Sequence, residues 1–177
     1  MQWKTHIWGG AVAGGVILTA YINKDFSLGS EPLYLAPAIL GMSVLGGLFP
    51  DIDLETSKIG QHAKTMSFII NRFFGHRTIF HAPLLYILVY MLLKEHLQHF
   101  HILLLAFTAG ALSHIVLDML NAKGIPLLYP AKGNYHVAKV KNGGKVEKAI
   151  LHTLLITSII IELRHLIIAF SFLAEGR

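Results

Sequence analysis

Long stretches without a charged side chain constrain this chain more than any other feature of its sequence. Five apolar segments occur, four of which contain no Asp, Glu, Lys or Arg, and the longest of those four has 22 residues. A helix that crosses a bilayer needs about 20 predominantly apolar residues. Only 14% of all residues are charged and the chain has no cysteine, which excludes a disordered protein and a disulfide-rich secreted domain. The sequence therefore predicts a membrane protein.

The five segments differ in how well they fit a spanning helix. They are Thr5–Asn23, Pro32–Pro50, Thr78–Leu93, His96–Leu117 and Ala149–Ala174. The first, second and fourth have the length of a membrane crossing, whereas the third is short. The fifth carries Glu162 and Arg164, so spanning, interfacial and hairpin conformations are all open for it. We expect an all-α, multi-pass bundle with four or five transmembrane helices.

The distribution of Lys and Arg predicts the orientation of the bundle. With five spans, eleven of the fifteen basic residues fall on the side of the N-terminus and three on the other side. The excess of Lys and Arg marks cytoplasmic loops, so we expect a cytoplasmic N-terminus. The chain then forms one membrane-embedded domain, residues 1–177, with a motif-bearing part (1–130), a basic cytoplasmic loop (131–148) and a C-terminal hydrophobic helix (149–174). The expected partner is the lipid bilayer, and no nucleic-acid-binding pattern occurs.

Acidic residues and histidines gather at the predicted cytoplasmic ends of the helices. They are His6, Asp51, Asp53, His76, His81, His114 and Asp118. His114 and Asp118 form the sharpest pair, because a spacing of four places them on one helical face. Two carboxylates in one turn, as in Asp51 and Asp53, can chelate a cation. A chain without cysteine builds a metal site from His, Asp and Glu, which suits Zn²⁺ and leaves Mn²⁺ or Fe²⁺ open.

Each of these features also has a purely structural interpretation. The aspartate pair fits a solvated turn, and His114 with Asp118 fits a hydrogen bond that joins helices. Arg77 suits a phosphate or an anionic headgroup, but it also suits a simple positive charge on the cytoplasmic side. Glu162 and His165 have the i, i+3 spacing of metal sites in helix bundles, and we expect structural pairing or a local tilt there because the sequence has no second such motif.

Taken together and in order, these motifs resemble a known family. The motifs are His6 with Gly9-Gly10, Pro50-Asp-Ile-Asp53 with Ser57, Gly75-His-Arg-Thr-Ile-Phe-His81, and Ser113-His-x3-Asp118 followed by Gly124-Ile-Pro-Leu-Leu-Tyr-Pro130. They resemble the YdjM-like family of bacterial and archaeal membrane proteins, described as metal-dependent hydrolases. The resemblance covers roughly residues 1 to 130 and differs from the family's pattern at Ile79 and Phe80. It implies a site in the plasma (inner) membrane with the seven His and Asp residues as metal ligands.

The expected function is a membrane-bound, metal-dependent hydrolase that acts at the cytoplasmic face on a phosphate ester such as a phospholipid. More distantly, the motifs are similar to the zinc-dependent phospholipase C and single-strand nuclease superfamily, which implies a phosphodiester or phosphomonoester substrate. Asp51, Asp53 and Arg77 are the predicted catalytic residues: one aspartate accepts a proton from metal-activated water, and the arginine holds the anionic group. The alternatives are a non-catalytic metal-binding sensor or transporter and a purely structural bundle.

Overall fold

The computed structural model describes residues 1–24, 31–75, 77–131 and 133–174, and helices are the regular secondary structure within these ranges. They are α1 (Trp3–Lys24), α2 (Glu31–Leu48), α3 (Lys58–His62), α4 (Lys64–Phe74), α5 (Pro83–Leu93), α6 (His101–Met119) and α7 (Lys145–Ala174). Short 3₁₀ turns occupy Phe49–Asp53, Ile79–His81 and Gln98–Phe100. The prediction of an all-α, multi-pass bundle is confirmed.

Four helical segments are long and apolar enough to cross a membrane. They are Trp3–Asn23, Leu35–Asp53, Gln98–Met119 and Lys145–Ser171. The third predicted segment yields only α5, whose 11 residues cover about 16 Å. The fifth predicted segment forms one continuous helix, so the hairpin alternative is wrong. This helix begins at Lys145, which shortens the predicted loop 131–148 by four residues.

Contacts between helix ends define the direction of each helix. The amine of Met1 contacts Asp118 at the end of α6, and the amide of Gln2 donates to Glu147 at the start of α7. His81, just before α5, contacts Asp51 just after α2. One end of the bundle therefore holds the N-terminus, residues 49–75 and 77–82, and residues 119–131 and 133–147, and we call it the site end. The same loops share one side in the topology predicted from the sequence.

Glycines let α2 lie directly against α6 near the site end. A Cβ atom on Gly110 would lie 1.9 Å from the carbonyl oxygen of Ser43, and one on Gly46 would lie 2.0 Å from that of Phe107. Small residues permit such close backbone approach between membrane helices. The hydroxyl of Ser43 also donates to the carbonyl of Gly10 at 2.7 Å, which attaches α1 to α2. These contacts bring the site ends of α1, α2 and α6 together.

The chain after α6 folds back beneath the site end. Isolated bridges pair Asn121 with Val140 and Ile125 with Tyr135, and Ile125 is fully buried. Gly124 has a φ of +65°, a left-handed conformation that glycine adopts without steric cost. A Cβ there would also lie 2.7 Å from the carbonyl oxygen of Tyr135. This tight turn presents the carbonyl of Gly124 to Arg77.

Candidate metal centre

Six of the seven predicted metal ligands meet at the site end. They are His6, Asp51, Asp53, His81, His114 and Asp118. The seventh, His76, lies outside the described residues. Two overlapping groups have ligand atoms within 4.8 Å of one another and could hold a metal ion: His6, Asp51 and His114, and His81, His114 and Asp118. The topology predicted from the sequence placed all seven at one membrane boundary, and the structure brings the six described ones together at one end of the bundle.

The His114 ring lies at the centre of the cluster and is held in one orientation by the backbone of α2. Its Nδ1 lies 2.8 Å from the carbonyl oxygen of Gly47, and because a carbonyl only accepts, this nitrogen carries the proton. Its Nε2 is therefore a lone-pair donor; it is buried and makes no hydrogen bond with the described residues. Oxygens of Asp51 and Asp118 lie 3.8 and 4.0 Å from it. Metal-binding histidines are commonly oriented in this way through their second nitrogen.

His6 approaches the same point from α1. Its ring stacks on that of His114, with ring centroids 3.7 Å apart and an angle of 14° between the planes. Its Nε2 lies 3.4 Å from Oδ1 of Asp118, and the side chain is 1% exposed. Two imidazoles this close in a buried site repel each other if both are protonated. A cation between the rings and the carboxylates would be favoured over two imidazolium groups.

His81 lies between the two aspartates of the turn after α2. Its Nε2 lies 3.5 Å from Oδ1 of Asp51, and its Nδ1 lies 3.6 Å from Oδ2 of Asp53. Burial by itself lowers the pKa of His81, but the hydrogen bonds to both carboxylates outweigh it and raise the pKa above the ordinary value of 6.5. Metal-binding histidines commonly hold a carboxylate on their second ring nitrogen, and Asp53 occupies that position beside Nδ1 of His81.

The two aspartates have different surroundings. Asp53 is fully buried and accepts a hydrogen bond from the backbone N–H of Arg77 at 2.9 Å. Asp51 is 20% exposed and lines an open cavity of about 300 Å³ together with Ser57 and Lys58. The hydroxyl of Ser57 donates to the carbonyl of Asp51 at 2.7 Å, which fixes the turn. Asp51 therefore connects the buried cluster to the cavity, and Asp53 orients His81.

Arg77 lies within the cluster but its guanidinium is already engaged. Nη2 donates to Oδ2 of Asp118 at 2.6 Å, and Nη1 donates to the carbonyl of Gly124 at 3.0 Å. The backbone of Arg77 has a φ of 58°, which is uncommon outside glycine and is held by its contact with Asp53. The sequence predicted that Arg77 holds an anionic group. In the structure its contacts join residues 77–81 to α6 and to the loop after it, and its role toward an anionic group stays a prediction.

Several contributors to the cluster were not predicted from the sequence. The amine of Met1 contacts Asp118, and the carbonyls of Gly47 and Gly124 orient His114 and Arg77. Residue type carries no signal for these groups, since almost every residue has the same backbone donor and acceptor.

Glu162 and His165 lie on α7 and form a separate polar contact with α1. His165 Nδ1 lies 3.3 Å from Oε2 of Glu162, and its Nε2 lies 2.9 Å from the hydroxyl of Thr19. Arg164, between them in sequence, is exposed. Neither Glu162 nor His165 belongs to a possible metal-binding group among the described residues. The expected structural pairing is therefore present.

The donor set of the cluster fits a divalent transition metal. Imidazole nitrogen combined with carboxylate oxygen is the ligand chemistry of Zn²⁺ and, with more oxygen donors, of Mn²⁺ and Fe²⁺. The clearest sign is the buried Nε2 of His114, which makes no hydrogen bond within the described part of the chain, because an unsatisfied buried polar atom costs about 1–3 kcal/mol. Asp118 already accepts from Arg77 and Met1, so Asp51 is the more available carboxylate.

Comparison with known proteins identifies the family of this chain. The sequence profile described as YdjM inner membrane protein matches residues 1–174. The chain belongs to this family. The match confirms the resemblance seen in the motifs, and it continues past Pro130, where those motifs end. The description of the YdjM family as inner membrane proteins agrees with the four apolar helices of this chain.

Three relatives show the extent of the sequence similarity. The uncharacterized protein YvsG of Bacillus subtilis (strain 168) is 29% identical over 131 residues, which cover 74% of each chain. The inner membrane protein YdjM of Escherichia coli (strain K12) is 33% identical over 127 residues, 68% of this chain and 65% of that protein. The protein of the same name from Shigella flexneri has the same values. No solved structure matches the chain.

Proposed function

We propose that this protein is a membrane-bound, metal-dependent hydrolase that cleaves a phosphate ester at the cytoplasmic face of the inner membrane. The substrate class is a phospholipid or another lipid-linked phosphate with an anionic headgroup. The main support for this proposal is that three histidine Nε2 atoms lie close to the carboxylates of Asp51 and Asp118. These residues form a buried cluster that borders an open cavity.

The ligands would be His6, His81, His114, Asp51 and Asp118. When bound, a divalent ion supplies Lewis acidity, which lowers the pKa of water and polarises a phosphoryl oxygen. Asp51 borders the cavity, so it is the carboxylate positioned to accept a proton from an attacking water. Burial of the other ligands excludes bulk solvent, which strengthens electrostatic interactions inside the site.

The cavity supplies a positive charge for an anionic substrate. Lys58 lines it, and its Nζ lies 5.1 Å from the centre of the Trp3 ring, a distance within the range of cation–π contacts. Ser57 and Gln61 add polar groups to the same wall. Because Arg77 is engaged with Asp118, Lys58 replaces it in this proposal as the residue that attracts the phosphate.

The position of the cluster argues against transport. Transporters hold substrate and ions near the bilayer midplane on interrupted helices, whereas this cluster joins the ends of α2 and α6 to the start of α1. The excess of Lys and Arg in the loops of the site end favours the cytoplasmic side for it.

Metal content of purified protein tests the binding half of the proposal. We expect elemental analysis of detergent-purified protein, loaded with Zn²⁺ and desalted, to find at least one metal ion per chain. His114→Ala should lose most of it, whereas His101→Ala, which changes an exposed histidine on the same helix, should retain it. Circular dichroism and gel filtration show whether each variant is folded, and Asp51→Asn serves if His114→Ala is not. Full metal content in both site variants would overturn the assignment.

Hydrolysis of phosphate esters by the purified protein tests the catalytic part of the proposal. We expect metal-loaded protein to hydrolyse p-nitrophenyl phosphate, bis-p-nitrophenyl phosphate or phosphatidylglycerol in mixed micelles, and to lose this activity with a chelator and in His114→Ala. Lys58→Ala should raise KM more than it lowers kcat, compared with Lys123→Ala, an exposed lysine outside the cavity. Bound metal without hydrolysis of any of the three substrates would contradict a hydrolase and favour a non-catalytic metal-binding protein.

A further inference from the structure

An exposed apolar stripe runs along α4, the helix between the aspartate turn and Arg77. Met66, Ile69 and Phe73 are 56%, 46% and 78% exposed, and Phe73 is the most exposed large apolar side chain among the described residues. Successive helical residues are rotated by about 100°, so these three lie within about 60° of one another around the axis. The stripe is therefore one continuous surface.

The other two sides of α4 have different character. Ser67 and Ile70 are buried, and α4 packs through this side against the turn Phe49–Asp53. Lys64 and Arg72 are exposed and lie about 170° and about 95°, respectively, from the centre of the stripe, and the exposed Phe68 lies between them. The helix thus presents one side to the protein, one side that carries both basic residues, and one apolar side that no described residue covers.

The location of α4 in the chain sets its depth. The helix follows the end of the spanning segment Leu35–Asp53 after the short α3, and it precedes His81 and α5 at the same site end. It therefore lies at the level where the chain leaves the membrane. Amphipathic helices with Lys or Arg on one side and Phe or Leu on the other lie in the plane of that interface.

We propose that α4 is an interfacial helix that inserts Met66, Ile69 and Phe73 into the lipid leaflet at the site end. Lys64 and Arg72 then lie among the headgroup phosphates. A second protein chain fits this surface poorly, because a stable interface involves about 20–30 residues on each side and the stripe has three. The aspartate turn on one side of α4 and residues 77–81 on the other are thereby held at headgroup depth. This inference does not depend on hydrolysis or on a metal.

The absence of cysteine makes the proposal directly testable with nitroxide labels. We would label Met66→Cys, Phe73→Cys, Lys64→Cys and Arg72→Cys one at a time and reconstitute each into vesicles of phosphatidylethanolamine and phosphatidylglycerol. Collision rates with oxygen, which concentrates in the acyl region, and with a water-soluble nickel chelate report the surroundings of each label. Because all four native side chains are exposed, the substitutions leave the packed side of α4 unchanged.

We expect the labels at positions 66 and 73 to collide several-fold more with oxygen than with the nickel chelate, and the labels at 64 and 72 to show the reverse. Equal access of the nickel chelate to all four labels would place the helix in water and overturn the proposal. Protection of positions 66 and 73 from both reagents would also overturn it, since that result indicates cover by a second protein chain.

Discussion

Substitution of Gly110 by alanine tests whether the close approach of α2 and α6 creates the His114 site. A Cβ at this position would lie 1.9 Å from the carbonyl oxygen of Ser43 and 2.9 Å from the backbone nitrogen of Gly47. A comfortable carbon–oxygen contact is about 3.3 Å, so the helices must separate by about 1.4 Å. The obstructing atoms belong to the backbone, and no side-chain rotation can relieve the overlap.

The expected net cost in stability does not exceed the expected cost in metal binding. Overpacking costs about 1–3 kcal/mol, and the better helix propensity of alanine offsets about 0.8–1 kcal/mol of it. The same separation moves the Gly47 carbonyl away from Nδ1 of His114, which now lies 2.8 Å from it. Loss of such an orienting contact lowers metal affinity about 10–100-fold, because plausible metal–ligand distances vary by only about 0.2 Å.

The assay compares Gly110→Ala on α6 with a separate Gly→Ala variant on α2. Gly41→Ala is the control, because a Cβ on Gly41 meets no atom within 4 Å. Zn²⁺ affinity is measured by competition with a chromophoric chelator, and thermal unfolding is measured in the same detergent. If Gly110→Ala binds Zn²⁺ as tightly as Gly41→Ala, the contact between α2 and α6 is not what positions His114.

Three further predictions concern groups away from the α2–α6 contact. Thr19→Val removes a hydrogen bond between α1 and α7 and should lower the free energy of unfolding by about 0.6–1.7 kcal/mol. The control is Thr153→Val, which changes an exposed position on α7, and equal stabilities of the two variants would contradict the structure. Glu147→Gln weakens a buried carboxylate that accepts three hydrogen bonds and should cost about 1.5–3 kcal/mol in urea unfolding, against no change for the exposed Glu55→Gln. In chelator-treated protein, the pKa of His81 is raised above its ordinary value of 6.5. Protonated His81 should therefore stabilise the folded protein fully below pH 6.5, and this stabilisation should be lost as the pH rises through the higher pKa of the folded protein. A free energy of unfolding that does not change across neutral pH would refute this prediction.

The sequence by itself determined the class of the protein and much of its topology. Apolar stretches with lengths near a bilayer crossing predicted α1, α2 and α6 to within a few residues, because helix formation in lipid depends on the local run of side chains. The spacing of His114 and Asp118 predicted a shared face for the same local reason. The fifth segment was ambiguous, since Glu162 and Arg164 only fit a long helix once Glu162 is paired with His165 next to α1.

Only the tertiary structure decided how the candidate ligands are arranged. Whether His6 and His114 stack depends on the distance between two helices, which glycines without side chains allow to be short. Asp51 and Asp53 differ in their surroundings because only Asp51 lines the cavity. The guanidinium of Arg77 is held by the carbonyl of Gly124, which is 47 residues away in the sequence. These are long-range contacts made partly by backbone atoms. Because backbone atoms are nearly the same in every residue, no pattern of residue types predicts such contacts.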